Sequence, residues 1–86
     1  MTRAGATRKR SVMLHGHATS VSLEDEYWAE LKRMAAEAGL SVAALIYRID
    51  AERRSANLSS ALRLAVLDDL RRKATSAGGY KPAATA

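Results

Sequence analysis

The chain has 86 residues, no cysteine and a formal net charge of +5. That length holds one domain at most. With no disulfide or thiolate–metal staple to help so small a core, association with another copy is the common remaining route to more buried area. No apolar run is long enough to cross a bilayer, and Val12-Met13-Leu14 is too short for the core of a signal peptide, so a cytoplasmic protein with no membrane partner is expected.

The distribution of charge is more informative than its sum. Residues 1–23 carry four bases (Arg3, Arg8, Lys9, Arg10) and no acid, residues 24–54 are net acidic, and residues 55–86 are net basic again. Positive ends around an acidic middle suit a polyanion, with nucleic acid ahead of an anionic membrane surface. A basic arm on a membrane would also need a large apolar face, which residues 1–10 lack.

In chain order, residues 1–10 read as a flexible basic arm, because they hold almost no large apolar side chain. Ser11 to Leu14 could extend a ribbon, but Gly16 interrupts the run and suggests a bend or bulge. His17–Leu23 is the one clear strand. Thr19, Val21 and Leu23 alternate with Ala18, Ser20 and Ser22, so the first set should face a core and the second should face outward. A lone strand leaves its backbone groups unpaired. No second clear strand is visible, so the expected partner is the same strand of another copy.

Glu24–Ala38 reads as the first helix. Glu24, Asp25 and Glu26 complement the positive end of its dipole, Tyr27, Trp28, Leu31, Met34 and Ala35 supply its apolar face, and Gly39 supplies a left-handed cap. Ser41 is an N-cap for a second helix ending near Arg54, with Leu40 and Leu45 spaced as a hydrophobic staple. Val42, Leu45, Ile46 and Ile49 form its stripe, and Asp50 can pair with Arg53 or Arg54. Asn57 or Ser59 opens a third helix reaching Lys73. Its apolar residues (Leu58, Leu62, Leu64, Val66, Leu67, Leu70) cover a wide arc, which predicts a subunit interface as well as a core contact. Arg71, Arg72 and Lys73 close it and could meet an anion. Residues 75–86 read as a disordered tail, leaving residues 11–74 as the folded domain.

No catalytic or metal-binding constellation stands out. His15 and His17 lack a third ligand nearby. The three acids of Glu24–Glu26 are explained by their helix start, and Ser41, Ser59 and Ser60 by capping. There is no phosphate-cradling glycine loop and no nucleophile elbow. The expectation is a non-enzyme without cofactor or metal.

The order of strand, helix, Gly-containing turn and helix in a small basic dimer resembles the ribbon-helix-helix class of Arc and MetJ, which read DNA with a β-ribbon. The turn Gly39-Leu40-Ser41-Val42 followed by Ile46-Tyr47 is similar to that class. Within it, Arg10-Ser11-Val12, Gly16-His17, Thr19-Ser20-Val21-Ser22-Leu23-Glu24, Trp28 and Asn57-Leu58-Ser59-Ser60-Ala61-Leu62-Arg63 resemble a group of short bacterial ribbon-helix-helix domain proteins.

The resemblance implies a mainly α fold: a homodimer with an intermolecular antiparallel two-stranded ribbon, plus an extra C-terminal helix. It implies a transcriptional regulator that inserts this ribbon into the major groove of double-stranded DNA. Ala18, Ser20 and Ser22, with His17, would face the bases. Arg8, Lys9 and Arg10, with Ser41 and Val42 at the second helix start, would meet phosphates. Thr19, Val21, Leu23, Trp28, Leu31, Ile46, Ile49, Leu62 and Val66 would form the core and dimer contacts. The alternatives are an antitoxin of a toxin–antitoxin pair, or a protein–protein adaptor that has lost base readout. Ala18 favours the adaptor, since it reaches only a thymine methyl and its serine neighbours are short.

Overall fold

The computed structural model describes residues 6–53 and 57–76. Two strands, β1 (Thr7–Leu14) and β2 (His17–Glu24), lead into three helices, α1 (Asp25–Ala38), α2 (Val42–Glu52) and α3 (Leu58–Ser76). The strands pair antiparallel from Leu14↔His17 to Thr7↔Glu24.

The partner expected from a second copy is therefore supplied by the same chain. The reason lies at His15–Gly16, which is neither bend nor bulge but a two-residue hairpin turn. Both residues have positive φ, 54° and 77°, the combination of a type I′ turn, whose twist matches that of the flanking strands. Thr7–Arg10 belongs to β1 and not to a flexible arm. Its inward positions are Arg8 and Arg10, followed by Val12 and Leu14. Half of that face is charged, so β1 lacks the apolar alternation that marks β2. Residues 1–5 of the expected arm lie outside the described residues.

The helix boundaries follow local chemistry. Glu24 is the extended N-cap of α1. At the other end, Leu40 N–H donates to Ala35 O at 2.8 Å and Gly39 N–H to Ala36 O at 3.2 Å. With Gly39 at φ 70°, this is a Schellman stop. Ser41 Oγ accepts from Ala44 N–H at 3.1 Å, and Asn57 Oδ1 accepts from Ser60 N–H at 3.2 Å, so each opens its helix as an N-cap. Asn57, not Ser59, takes that role for α3. α3 runs to Ser76, taking Thr75 and Ser76 out of the expected tail. Residues 77–86 lie outside the described part.

The helices cover one face of the hairpin. Val21, Leu23, Leu31, Ile46, Leu62 and Val66 are almost wholly buried, joined by Val12, Leu14, Ala35 and Leu45. Thr19, Trp28 and Ile49 are half-buried. Core contributions come from both strands and all three helices, so α3 closes the core of its own chain. At about 25 cal/mol per Å², burying one such Leu or Val is worth about 1.5–3 kcal/mol. The apolar arc of α3 divides: Ala61, Leu62 and Val66 go inside, while Leu64 (60% exposed), Leu67 and Leu70 (each 41%) remain on the surface.

Candidate nucleic-acid interface

The helices leave the other face of the hairpin open. The register pairs Lys9 with Ser22, Ser11 with Ser20 and Met13 with Ala18 across this outer face. All six are exposed, as is Thr7. Ala18, Ser20 and Ser22 thus lie on the outward side that alternation assigns them. His17 does not. It pairs with Leu14, so it shares the helix-facing side with Thr19, Val21 and Leu23, at its exposed end. Strand parity sets this placement, because successive side chains point to opposite faces.

The same parity splits the basic run Arg8-Lys9-Arg10. Arg10 Nη2 donates to Asp25 Oδ1 at 2.9 Å, and its guanidinium lies 4.7 Å from the centre of the Trp28 ring. Arg8 Nη2 approaches the other Asp25 oxygen at 3.4 Å. Both arginines tie β1 to the start of α1. Lys9 points the opposite way and has no ion-pair partner among the described residues. Of the three bases expected to meet phosphates, Lys9 alone stands on the open face.

Other ion pairs also hold the fold together. Arg63 Nε donates to Glu24 Oε1 at 3.0 Å, linking α3 to the end of β2. This bond, with help from a backbone N–H, holds the Glu24 carboxyl below the usual carboxylate range. Arg33 on α1 reaches Asp69 on α3 at 2.7 Å and also bonds Glu30 and Glu37. These bonds, led by that to Asp69, push the Arg33 pKa further up. Lys73 Nζ sits 2.9 Å from Glu37 and, ahead of Arg33, holds that carboxyl low. Of the expected anion-binding end of α3, Lys73 is so engaged and Arg72 leans on Asp68 at 3.3 Å. Arg71 is exposed with no ion-pair partner among the described residues.

At the turn, the His15 ring lies 4.6 Å from that of Tyr47, with Nε2 at 3.6 Å from Asp50 Oδ2. Asp50 also receives Arg53 Nε at 2.8 Å; Arg54 lies outside the described residues. The turn is thereby anchored on α2. The open N–H groups at the start of α2 are those of Val42 and Ala43, since Ser41 Oγ occupies that of Ala44.

The sequence reading missed Ser11 and Met13 as members of the outer face. The available signal was a polar–apolar run on each side of a dipeptide ending in Gly, the pattern of a two-residue hairpin.

The comparisons with known proteins agree with this architecture. The ribbon-helix-helix domain family matches residues 7–70, from the first residue of β1 to well within α3. Among solved structures, the chain is similar to an uncharacterized protein from Bordetella pertussis Tohama I. The two share 37% sequence identity with a TM-score of 0.66, over 95% of this chain and 67% of that one. No curated protein matches the chain. Among the described residues, no helix is long and apolar enough to cross a membrane. The family match spans the hairpin, the capping residues Gly39, Ser41 and Asn57 and the core, and the chain belongs to the ribbon-helix-helix domain family.

Proposed function

We propose that this chain is a DNA-binding transcriptional regulator that works in the cytoplasm as a homodimer and presents its β1–β2 hairpin to the major groove. The observation that carries the reading is the open outer face of the hairpin. It is two strands wide, lined by small or slender side chains, and bears a lysine with no ion-pair partner among the described residues. A two-stranded ribbon is one of the elements that the major groove admits. The open N–H groups of Val42 and Ala43 supply donors suited to a phosphate. No residue of this surface is assigned a catalytic role.

The test is a salt series of binding to random duplex DNA. Binding should weaken steeply as salt rises, because each phosphate contact releases counterions. Absence of binding at low salt would refute the reading.

The homodimer rests on a different surface. Leu64, Leu67 and Leu70 are exposed along α3, and Leu64 borders a groove lined by Ile49, Ala61 and Ala65 together with the charged Glu52, Arg53 and Asp68. The three leucines are the apolar surface on which a second copy would pack. The same leucines favour the antitoxin or adaptor reading, in which another protein occupies them. Sedimentation decides between the two: a two-chain species by itself supports the homodimer, and a lone monomer supports a foreign partner.

A further inference from the structure

We infer that, on the DNA-binding reading above, base selectivity resides in β1, with Lys9 as the guanine-directed donor and Met13, backed by Ala18, as the thymine-methyl contact. The outer face has two halves of different chemistry. The β2 half offers Ala18, Ser20 and Ser22. A serine hydroxyl both donates and accepts, so it discriminates poorly between base edges. The β1 half offers Thr7, Lys9, Ser11 and Met13, which includes both long side chains of the face.

Lys9 is free to act. Arg8 and Arg10 are directed to Asp25 on the opposite side, whereas Lys9 stands exposed with no ion-pair partner among the described residues. Lysine donates to the O6 and N7 acceptors of guanine. Met13 is 62% exposed at its place opposite Ala18. An exposed methionine on a small strand face gains nothing from the core beneath, and beside Ala18 it makes an apolar spot of the kind that meets a thymine methyl.

Spacing makes the assignment sharper. Lys9 and Met13 lie four residues apart on one strand, about 13 Å at the usual strand rise. Along a duplex that distance corresponds to about four steps of 3.4 Å. A ribbon lying along the groove should therefore select a guanine and a thymine about four base steps apart.

The experiment is selection of bound duplexes from a random library with the full chain. It is followed by affinity measurements on the selected site with Lys9→Thr and Met13→Thr, both compatible with a strand. Replacing the selected guanine by 7-deazaguanine should weaken the wild type by about tenfold and leave Lys9→Thr unchanged. Replacing the selected thymine by uracil should weaken the wild type and leave Met13→Thr unchanged. Melting curves of both variants should match the wild type, which separates lost readout from lost fold.

If the wild type selects a site and both variants keep its affinity and base preferences, the assignment to β1 is overturned while DNA binding stands. Salt-sensitive binding without any enriched sequence has the same meaning. If the wild type binds no duplex even at low salt, the DNA-binding reading fails, and this assignment with it.

Discussion

Arg10 and Lys9 are sequence neighbours with opposite roles. Arg10 lies between Asp25 and the Trp28 ring, 27% exposed at its side chain. A partly shielded cation–π contact and a charge-assisted hydrogen bond are together worth about 1–3 kcal/mol. Arg10→Ala should therefore lower stability by about that amount in denaturant titrations. Lys9→Thr should leave stability within about 0.5 kcal/mol, as for a surface change that breaks no partner. A matching loss at both positions would contradict the opposed faces. Glu24 and Glu37 provide the pH prediction. Their folded carboxyls titrate below the ordinary value of 4.5, held by Arg63 and Lys73 respectively. The unfolded chain therefore takes up protons first as pH falls. The stabilisation is complete above the ordinary carboxylate range and is lost as pH drops through that range towards the lowered folded values. Melting temperature followed from pH 6 to about pH 3 should fall, and Arg63→Met should reduce the part owed to Glu24. Both carboxylates are solvent-accessible, so high salt should shrink the effect.

At the scale of the element, the hairpin depends on its turn and its ladder. His15 and Gly16 both occupy positive φ, and a β-branched residue at the second position meets the full left-handed penalty. Gly16→Val should cost about 1–2 kcal/mol, read from chemical denaturation. In a two-residue hairpin the pair flanking the turn exchanges both backbone bonds, and bonded pairs then alternate. From Leu14↔His17 this makes Arg10↔Val21 a bonded pair. Val21→Pro removes that donor at a residue only 1% exposed, so it should abolish the cooperative melting transition. The helices were legible because their punctuation is local: Gly39, Ser41 and Asn57 cap where their chemistry directs. The first strand was not. Its inward face begins with two arginines, and a charged inward face shows no apolar alternation until an acid and an indole are brought to meet it.

For the whole molecule, five elements share one core that closes within a single chain. Leu62 is fully buried on α3, and Leu62→Ala should cost about 2–5 kcal/mol, showing that α3 is integral to the domain. Leu67, on the opposite side of the same helix, is 41% exposed. Leu67→Glu should leave the melting temperature of the protomer close to wild type and, on the homodimer proposed above, should give a monomer in sedimentation where the unaltered chain gives a two-chain species. A dimer that survives this substitution would place the interface elsewhere.

Much of this protein follows from sequence alone. Alternation in His17–Leu23, helical periodicity and three capping residues specify β2, three helices and the inward residues Val21, Leu23, Leu31, Ile46, Leu62 and Val66, because those signals arise within a few residues of chain. The same alternation put Ala18, Ser20 and Ser22 outside. Three matters were decided only by the tertiary structure. One is the partner of β2, since pairing depends on which strand a positive-φ turn delivers to it. Another is the division of Arg8, Lys9 and Arg10 between two faces, which needs the register. The last is the side of α3 that closes the core: its apolar residues surround much of the helix, and only the packed neighbours distinguish Leu62 from Leu64.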